Sequence, residues 1–197
     1  MNLPNKITVG RIILAIIVML LLVFPFYQVG ITWPKYLIAG KITINLKYII
    51  CGVLFAIAAA TDFLDGNIAR KRNIVTEFGK VMDAIADKIL VNGVLIALAY
   101  DGFIPVIIPV IIVTRDIAVD SIKMVAGAKG KSVAASLWGK IKTIFMLVGI
   151  VLVFFYNLPF TLLNLELGNY LILIATVLSL YSGLQYYQVN KEFIIER

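Results

Sequence analysis

The sequence TDFLDGNIARKRNIVTEFGKVMDAIADK, residues 61–88, carries four aspartates in or beside apolar segments, at positions 62, 65, 83 and 87. An ionised carboxylate in an apolar segment is costly unless a cation or a hydrogen-bond donor compensates its charge. The first two aspartates are three residues apart and the last two are four apart. On a helix, each of these spacings places both side chains on one face. The stretch therefore predicts two helices that bring carboxylates together.

The composition of the whole chain is that of a membrane protein. The chain has 197 residues, of which 61% are hydrophobic and 15% are charged, whereas a soluble domain has about 45–50% apolar and about 25% charged residues. A single cysteine excludes an internal disulfide, and the absence of histidine excludes histidine-based acid–base or zinc chemistry. We expect a single all-α integral membrane domain over residues 1–197. We interpret the net charge of +7 as contact with lipid headgroups, not with nucleic acid.

Apolar segments of sufficient length predict the helices. A transmembrane helix needs about 20 predominantly apolar residues, and six segments reach or approach this length, some with polar interruptions. We therefore expect a bundle of six transmembrane helices, with the first retained because no small-residue cleavage site follows it. Prolines in the fourth segment predict a kink, because each removes a backbone donor. The segments run near 7–27, 48–68, 83–100, 103–125, 135–156 and 167–189.

The distribution of basic residues predicts the orientation. Six spans place both termini on one side, together with the basic residues of 70–80, 123–142 and 191–197. This bias predicts a multi-pass protein of the cell membrane, with both termini and the aspartates facing the cytoplasm. The lysines of segment 28–47 weaken this bias without reversing it. We expect that segment to lie at the membrane interface with Trp33 and Tyr36.

The four aspartates predict a metal site. Carboxylates held close together repel one another and take up protons unless cations neutralise them. Oxygen ligands suit Mg²⁺ or Mn²⁺, and four carboxylates balance the charge of two such ions. One alternative is that the aspartates cap helices or pair with Arg70, Arg72 and Lys88. Another is a proton or cation path in a channel or transporter, which does not account for the glycines and the arginine between the aspartates.

Those intervening residues suit a phosphate ligand. Gly66 and Gly79 lack side chains, so a bulky ligand or a second helix can approach the backbone closely. Arg70 lies one turn beyond Gly66 on the same helical face, and its guanidinium matches the geometry of phosphate with two donors. Metal ions, an arginine and an open backbone together predict a site for a diphosphate.

The pattern of these residues resembles a known family. The run Asp62-x2-Asp65-Gly66-x2-Ala69-Arg70-x8-Gly79-x3-Asp83-x3-Asp87 is similar to the signature of the CDP-alcohol phosphotransferases. The segments NLPNKITVGR, TRD and WGKIKT, at 2–11, 114–116 and 138–143, resemble the phosphatidylglycerophosphate synthase branch. The resemblance implies a homodimeric membrane enzyme of phospholipid biosynthesis. Such an enzyme transfers a phosphatidyl group from CDP-diacylglycerol to sn-glycerol 3-phosphate and releases CMP. Inositol phosphate, serine and phosphatidylglycerol remain alternative acceptors.

The resemblance also assigns roles to individual residues. It implies that the four aspartates hold two divalent cations, and that Asp87 is also the general base for the acceptor hydroxyl. Five further positions correspond to contacts with the CDP-activated lipid. These are Gly66, Arg70, Thr76, Asn5 and Thr8.

The acceptor requires a second basic site if it is glycerol 3-phosphate. Arg115 interrupts the apolar fourth segment, and Lys140 and Lys142 lie at the start of the fifth. A buried arginine in a span is costly without an anionic partner, so we expect these three residues to bind the acceptor phosphate, with Lys131 a weaker candidate. The alternative pairs Arg115 with Asp116 or Asp120 and extends the lysines to the headgroups. For Lys123 and Lys129 we expect this contact with the headgroups.

Overall fold

The helices account for most of the structure. The computed structural model describes the backbone of residues 3–38, 40–71, 77–130 and 137–194, and the side chains of residues 8–38, 40–61, 82–130 and 137–191. Within these residues it has six α-helices, one two-stranded sheet and two short 3-10 turns. The helices are α1 (Leu3–Val23), α2 (Leu46–Lys71), α3 (Glu77–Tyr100), α4 (Ile107–Ala128), α5 (Leu137–Phe154) and α6 (Leu167–Ile194).

The helices form two groups of three. Helix α1 packs on α2 and α3, and α6 packs on α4 and α5. Smaller contacts of α2 with α5 and of α3 with α4 join the two groups. At the first of these contacts Phe55 lies against Phe154, with 5.9 Å between ring centroids. Gly52 allows this approach, because a Cβ there would lie 2.7 Å from the Cβ of Phe154.

The prediction of six helices is confirmed in a structure that is mostly helical and has one two-stranded sheet, but the membrane-spanning character of each helix is not confirmed. Among the described residues, two helical segments are long and apolar enough to cross a membrane, Leu137–Phe154 and Leu167–Lys191. Among the described side chains, α1 and α2 contribute shorter apolar segments, Thr8–Val23 and Leu46–Thr61, which begin or end at the limit of those residues. In α3 and α4, acidic and basic side chains interrupt the apolar segments.

Local sequence explains where two of the helices begin and end. Helix α3 ends in a Schellman motif, in which Gly102 adopts a φ of +79° and the Phe103 N–H donates to the Leu98 carbonyl over 2.9 Å. A glycine accepts this left-handed conformation without steric cost. Helix α4 begins at Ile107, so Pro105 precedes it and Pro109 lies in its first turn. Backbone N–H groups there need no helical acceptor, and the basis for the predicted kink is therefore removed.

Segment 28–47 contains structure that the sequence did not predict. After a 3-10 turn at Phe26–Val29, strands β1 (Lys35–Ile38) and β2 (Ile42–Asn45) form an antiparallel hairpin in which Lys35 is opposite Asn45. Gly40, with a φ of +65°, lies in its turn. The Asn45 N–H donates to the Tyr156 hydroxyl over 2.9 Å. This bond attaches the hairpin to the chain that follows α5.

Helices α5 and α6 approach so closely that only glycine fits between them. A Cβ at Gly149 would lie 2.7 Å from Ile172 Cγ1 and 2.9 Å from the Gly168 carbonyl oxygen. The neighbouring Asn157 side chain accepts a hydrogen bond from the Gly168 N–H over 2.6 Å. Because one of the clashing atoms belongs to the backbone, a side chain at 149 would force the helices apart.

We therefore expect Gly149→Ala to lower the free energy of unfolding by about 1–3 kcal/mol, the usual range for overpacking. The matched control is Gly127→Ala in α4, where no atom lies within 4 Å of the added Cβ. Alanine is the better helix former, so this control should be neutral or stabilising. Thermal unfolding of both variants in detergent micelles tests the difference, and equal midpoints would contradict the close packing.

Candidate active site

Asp83 connects α3 to the N-terminal helix. The Thr8 hydroxyl donates to Asp83 Oδ1 over 2.6 Å, and Arg11 Nη1 lies 3.7 Å from the same oxygen. Thr8 and Arg11 are buried, whereas the Asp83 side chain is 50% exposed. The carboxylate thus has fixed contacts with α1 and an open face. The structure places Thr8, predicted to contact the nucleotide lipid, directly beside one of the predicted metal ligands.

The second aspartate of α3, Asp87, lies one helical turn beyond Asp83. It lines a cavity of about 260 Å³ together with residues of α4, α5 and α6. The i and i+4 spacing predicted from the sequence is confirmed, because both residues lie within the continuous helix Glu77–Tyr100. Two carboxylates one turn apart, the first of them half exposed, offer oxygen ligands that suit a hard divalent cation. Asp83 and Asp87 are two of the four aspartates that the sequence predicts as metal ligands.

For the two predicted metal ligands of α2, the structure describes the backbone but not the side chains. Asp62, Asp65, Gly66 and Arg70 lie in the last third of α2, which confirms the helical spacing of the two aspartates. The side chains of these four residues lie outside the described ones. So do Thr76 and the side chain of Asn5. Among the described side chains no group of three carboxylate, thiol or imidazole ligands occurs, and the convergence of four carboxylates stays a prediction.

The predicted acceptor residues converge on the cavity next to Asp87. Arg115 reaches it from α4, and Lys140 and Lys142 reach it from α5. Three helices therefore bring together residues that are far apart in sequence. Five cationic and three acidic side chains contribute to the lining, so its formal charge favours an anion. They are Lys88, Arg115, Lys123, Lys140 and Lys142, and Asp87, Asp116 and Asp120.

Arg115 is held by several bonds. Its Nη1 donates to Asp116 Oδ1 over 3.1 Å, its Nη2 to Ser182 Oγ over 2.6 Å and its Nε to the Ser179 carbonyl over 3.1 Å. The pairing with Asp116 agrees with the alternative considered from the sequence. It does not exclude phosphate binding, because Arg115 also lines the cavity.

Asp116 also binds a second cation. Lys142 is buried, and its Nζ donates to Asp116 Oδ1 over 3.1 Å, so one carboxylate oxygen is shared by two basic side chains. Lys88 forms an ion pair with Asp120 on the neighbouring turn of α4. Lys140, in contrast, is exposed at the start of α5. The cavity therefore combines cations held by carboxylates with one that is exposed to solvent.

One residue of the cavity was assigned another role from the sequence. Lys123 was expected to extend to the headgroups, yet it lines the cavity together with Tyr186, and its Nζ lies 5.5 Å from the Tyr186 ring centroid. A usable signal for Lys123 is its spacing of eight residues, about two helical turns, from Arg115. No comparable signal marks Tyr186 or Ser182, which lie on an apolar helix whose nearest charged residue in the sequence is Lys191.

Two sequence comparisons agree with the motif. Residues 1–181 match the profile of the CDP-alcohol phosphatidyltransferase family. The CDP-diacylglycerol–glycerol-3-phosphate 3-phosphatidyltransferase of Bacillus subtilis strain 168 is 37% identical over 191 residues, which cover 97% of this chain and 96% of that protein. A protein of the same name from Rickettsia felis is 30% identical over 193 residues, covering 98% and 97% of the two chains.

The fold also has a counterpart among solved structures. The apo crystal structure of Mycobacterium tuberculosis phosphatidylinositol phosphate synthase is similar with a TM-score of 0.60 and 20% sequence identity, over 100% of this chain and 94% of that one. At this identity the likeness concerns the fold alone. Together with the profile match and the identity to the bacterial relatives, it agrees with the expectation from the aspartate motif: the chain belongs to the CDP-alcohol phosphatidyltransferase family.

Proposed function

We propose that this chain transfers the phosphatidyl group of CDP-diacylglycerol to sn-glycerol 3-phosphate, yielding phosphatidylglycerophosphate and CMP. The observation that carries the proposal is the cavity in which Asp87 lies beside Arg115, Lys140 and Lys142. A proton acceptor and an anion-binding surface in one cavity suit an acceptor that carries both a hydroxyl and a phosphate. The names of the bacterial relatives, matched over nearly the full chain, support the same reaction.

We further propose that the chain uses two divalent cations, Mg²⁺ or Mn²⁺, held by Asp62, Asp65, Asp83 and Asp87. Bound at that site, the ions would neutralise the diphosphate and the charge that develops as CMP leaves. The carboxylate oxygens of α3 suit such ions, and α2 is helical through both of its aspartates. This agreement in ligand chemistry and spacing supports the assignment.

The remaining chemistry falls to side chains of the protein. The acceptor hydroxyl oxygen attacks the phosphorus attached to diacylglycerol, its proton passes to Asp87, and the bond from that phosphorus to CMP breaks. An aspartate is a weak base, so alignment of the two substrates must supply most of the rate. We assign the CDP-lipid to Gly66, Arg70, Thr76, Asn5 and Thr8, of which Thr8 is hydrogen-bonded to Asp83.

The charge of the cavity favours a phosphorylated acceptor. A phosphate monoester carries close to two negative charges at neutral pH, and the cavity has two more cationic than acidic side chains. Serine is a zwitterion and would leave this excess uncompensated. Inositol phosphate shares the phosphate group, so the distinction between it and glycerol 3-phosphate must come from the rest of the acceptor.

We also propose the membrane arrangement that this chemistry requires. The lipid substrate must enter from the bilayer and the acceptor from water, so the site should lie at the interface. Six spanning helices, with both termini and the site facing the cytoplasm, satisfy the distribution of basic residues. The apolar α5 and α6 support membrane insertion. A homodimer is the assembly implied by the family resemblance.

The acceptor preference is tested with purified protein, CDP-diacylglycerol and Mg²⁺. We expect release of CMP with glycerol 3-phosphate and none with glycerol or serine, because only a phosphate satisfies the cationic cavity. The Asp87→Asn variant provides the background rate. Incorporation of serine or inositol phosphate, without incorporation of glycerol 3-phosphate, would refute the choice of acceptor.

Asp87→Asn should lower kcat at least about 100-fold, the usual contribution of a positioned general base. The fold should persist, because the amide has nearly the same shape as the carboxylate. Asp101→Asn makes the same change beyond the other end of α3 and should leave turnover unchanged. CMP release and elution from a sizing column, measured for both variants, distinguish loss of chemistry from loss of structure. Full turnover by Asp87→Asn would exclude the base.

Chelation with EDTA should abolish turnover, and added Mg²⁺ or Mn²⁺ should restore it. Direct binding of Mn²⁺, followed by electron paramagnetic resonance, gives a readout that does not depend on turnover. Asp83→Asn should weaken this binding because a ligand oxygen is replaced, whereas the distant Asp101→Asn should not. Turnover that survives verified removal of metal would rule out the metal assignment.

A further inference from the structure

Two serines of α6 are buried where an apolar helix would ordinarily present hydrocarbon. Ser179 and Ser182 are both 0% exposed. The Ser182 hydroxyl donates to the Ser179 carbonyl over 3.1 Å and accepts from Arg115 Nη2 over 2.6 Å. The first bond fixes the hydroxyl proton, so a lone pair of the oxygen faces the guanidinium.

The contacts of Arg115 leave a specific pair of donors for a ligand. A guanidinium has five N–H groups, and in the described part of the chain three of them bond to Asp116, Ser179 and Ser182. One N–H on each terminal nitrogen remains. Two donors in one guanidinium plane suit contact with a phosphate. The bonds therefore set the direction in which this pair can face.

Gly183 makes room for the arginine on the same face of α6. A Cβ at this position would lie 3.1 Å from Arg115 Cγ and 3.5 Å from its Nε. The first of these contacts is short enough that the side chain would have to shift by a few tenths of an ångström. Ser182 thus binds the guanidinium through its hydroxyl, and Gly183 leaves space for the rest of the Arg115 side chain.

We propose that Ser182 is a positioning residue, which with Gly183 orients the Arg115 guanidinium toward the phosphate of the acceptor. This inference rests on the proposed function and extends its site to α6, from which no site residue was predicted. Without the hydroxyl, Asp116 and the Ser179 carbonyl still bind Arg115, but the hydrogen bond that holds Nη2 is lost, and the plane of the guanidinium is less well fixed. A guanidinium that is turned away from this orientation no longer aligns its donors with the phosphate oxygens and binds the phosphate less well.

The test compares two serine substitutions one turn apart on α6. Ser182→Ala removes the hydroxyl that binds Arg115. Ser179→Ala is the matched control, because Arg115 binds the Ser179 carbonyl and the Ser179 hydroxyl has no hydrogen-bond partner among the described residues. We expect Ser182→Ala to raise the KM for glycerol 3-phosphate about tenfold, as for loss of a hydrogen bond to a charged group. Its kcat and its KM for CDP-diacylglycerol should stay near those of the wild type, and Ser179→Ala should match the wild type in all three.

Gly183→Ala provides an independent variant and decides the matter if Ser182→Ala does not fold. It should also raise the KM for glycerol 3-phosphate selectively, because it displaces Arg115 without removing any polar group. An unchanged KM in the folded variants overturns the proposal. So does an equal loss toward both substrates, which would indicate a general structural role.

Failure of this inference is distinguishable from failure of the proposed function. If the wild type releases CMP with glycerol 3-phosphate but the variants bind it normally, only the positioning role is wrong. If the wild type instead uses inositol phosphate, the same KM comparison is made with that acceptor. A wild type that uses serine alone overturns both.

Discussion

Charge compensation within apolar helices is the constraint on which this structure depends. Arg115 and Lys142 come from different helices and share one oxygen of Asp116, so a single carboxylate joins α4 to α5. Without it, the buried Lys142 would face a desolvation cost of several kcal/mol, and Arg115, whose side chain is 12% exposed, would lose its carboxylate partner. The compensation is incomplete across the cavity, where cations outnumber carboxylates. This excess is what an anionic acceptor can satisfy, so the same electrostatics serve folding and binding.

The helical part of the fold follows from the sequence because long apolar segments have few other stable forms. Hydropathy located all six helices, but it could not fix their ends, which depend on backbone features such as the Schellman motif at Gly102. The hairpin of residues 35–45 was missed for a different reason. Its strands are four residues each, and their outward-facing side chains resemble those of an interfacial segment.

The site was predictable only where function imposes local spacing. The aspartates of one helix follow from an i and i+4 pattern, which a sequence displays directly. The meeting of Asp87 with Arg115 and Lys142 arises from three helices, and no spacing rule contains it. The basic residues were expected to bind the acceptor phosphate because an arginine in an apolar segment is costly without an anionic partner. Neither the spacing of residues along a helix nor the family resemblance pointed to Ser182 or Gly183. Their importance comes from what a neighbouring helix places against them, and small neutral residues in an apolar helix are usually packing residues.

The division of the bundle into two groups of three helices has a geometric consequence. The aspartates belong to the first group and the basic residues of α4 and α5 to the second, so the proposed function would place its two substrates on opposite sides of the boundary between the groups. At Gly52 the two groups are in van der Waals contact, because α2 lies against Phe154 of α5. Gly52 lies ten residues, or about 15 Å along α2, before Asp62. A larger side chain at Gly52 would push the two groups of helices apart, and misplacing reactants by 1 Å can cost about 100-fold in rate. The proposed alignment of the two substrates would therefore depend on a contact between helices that is far from any reacting atom.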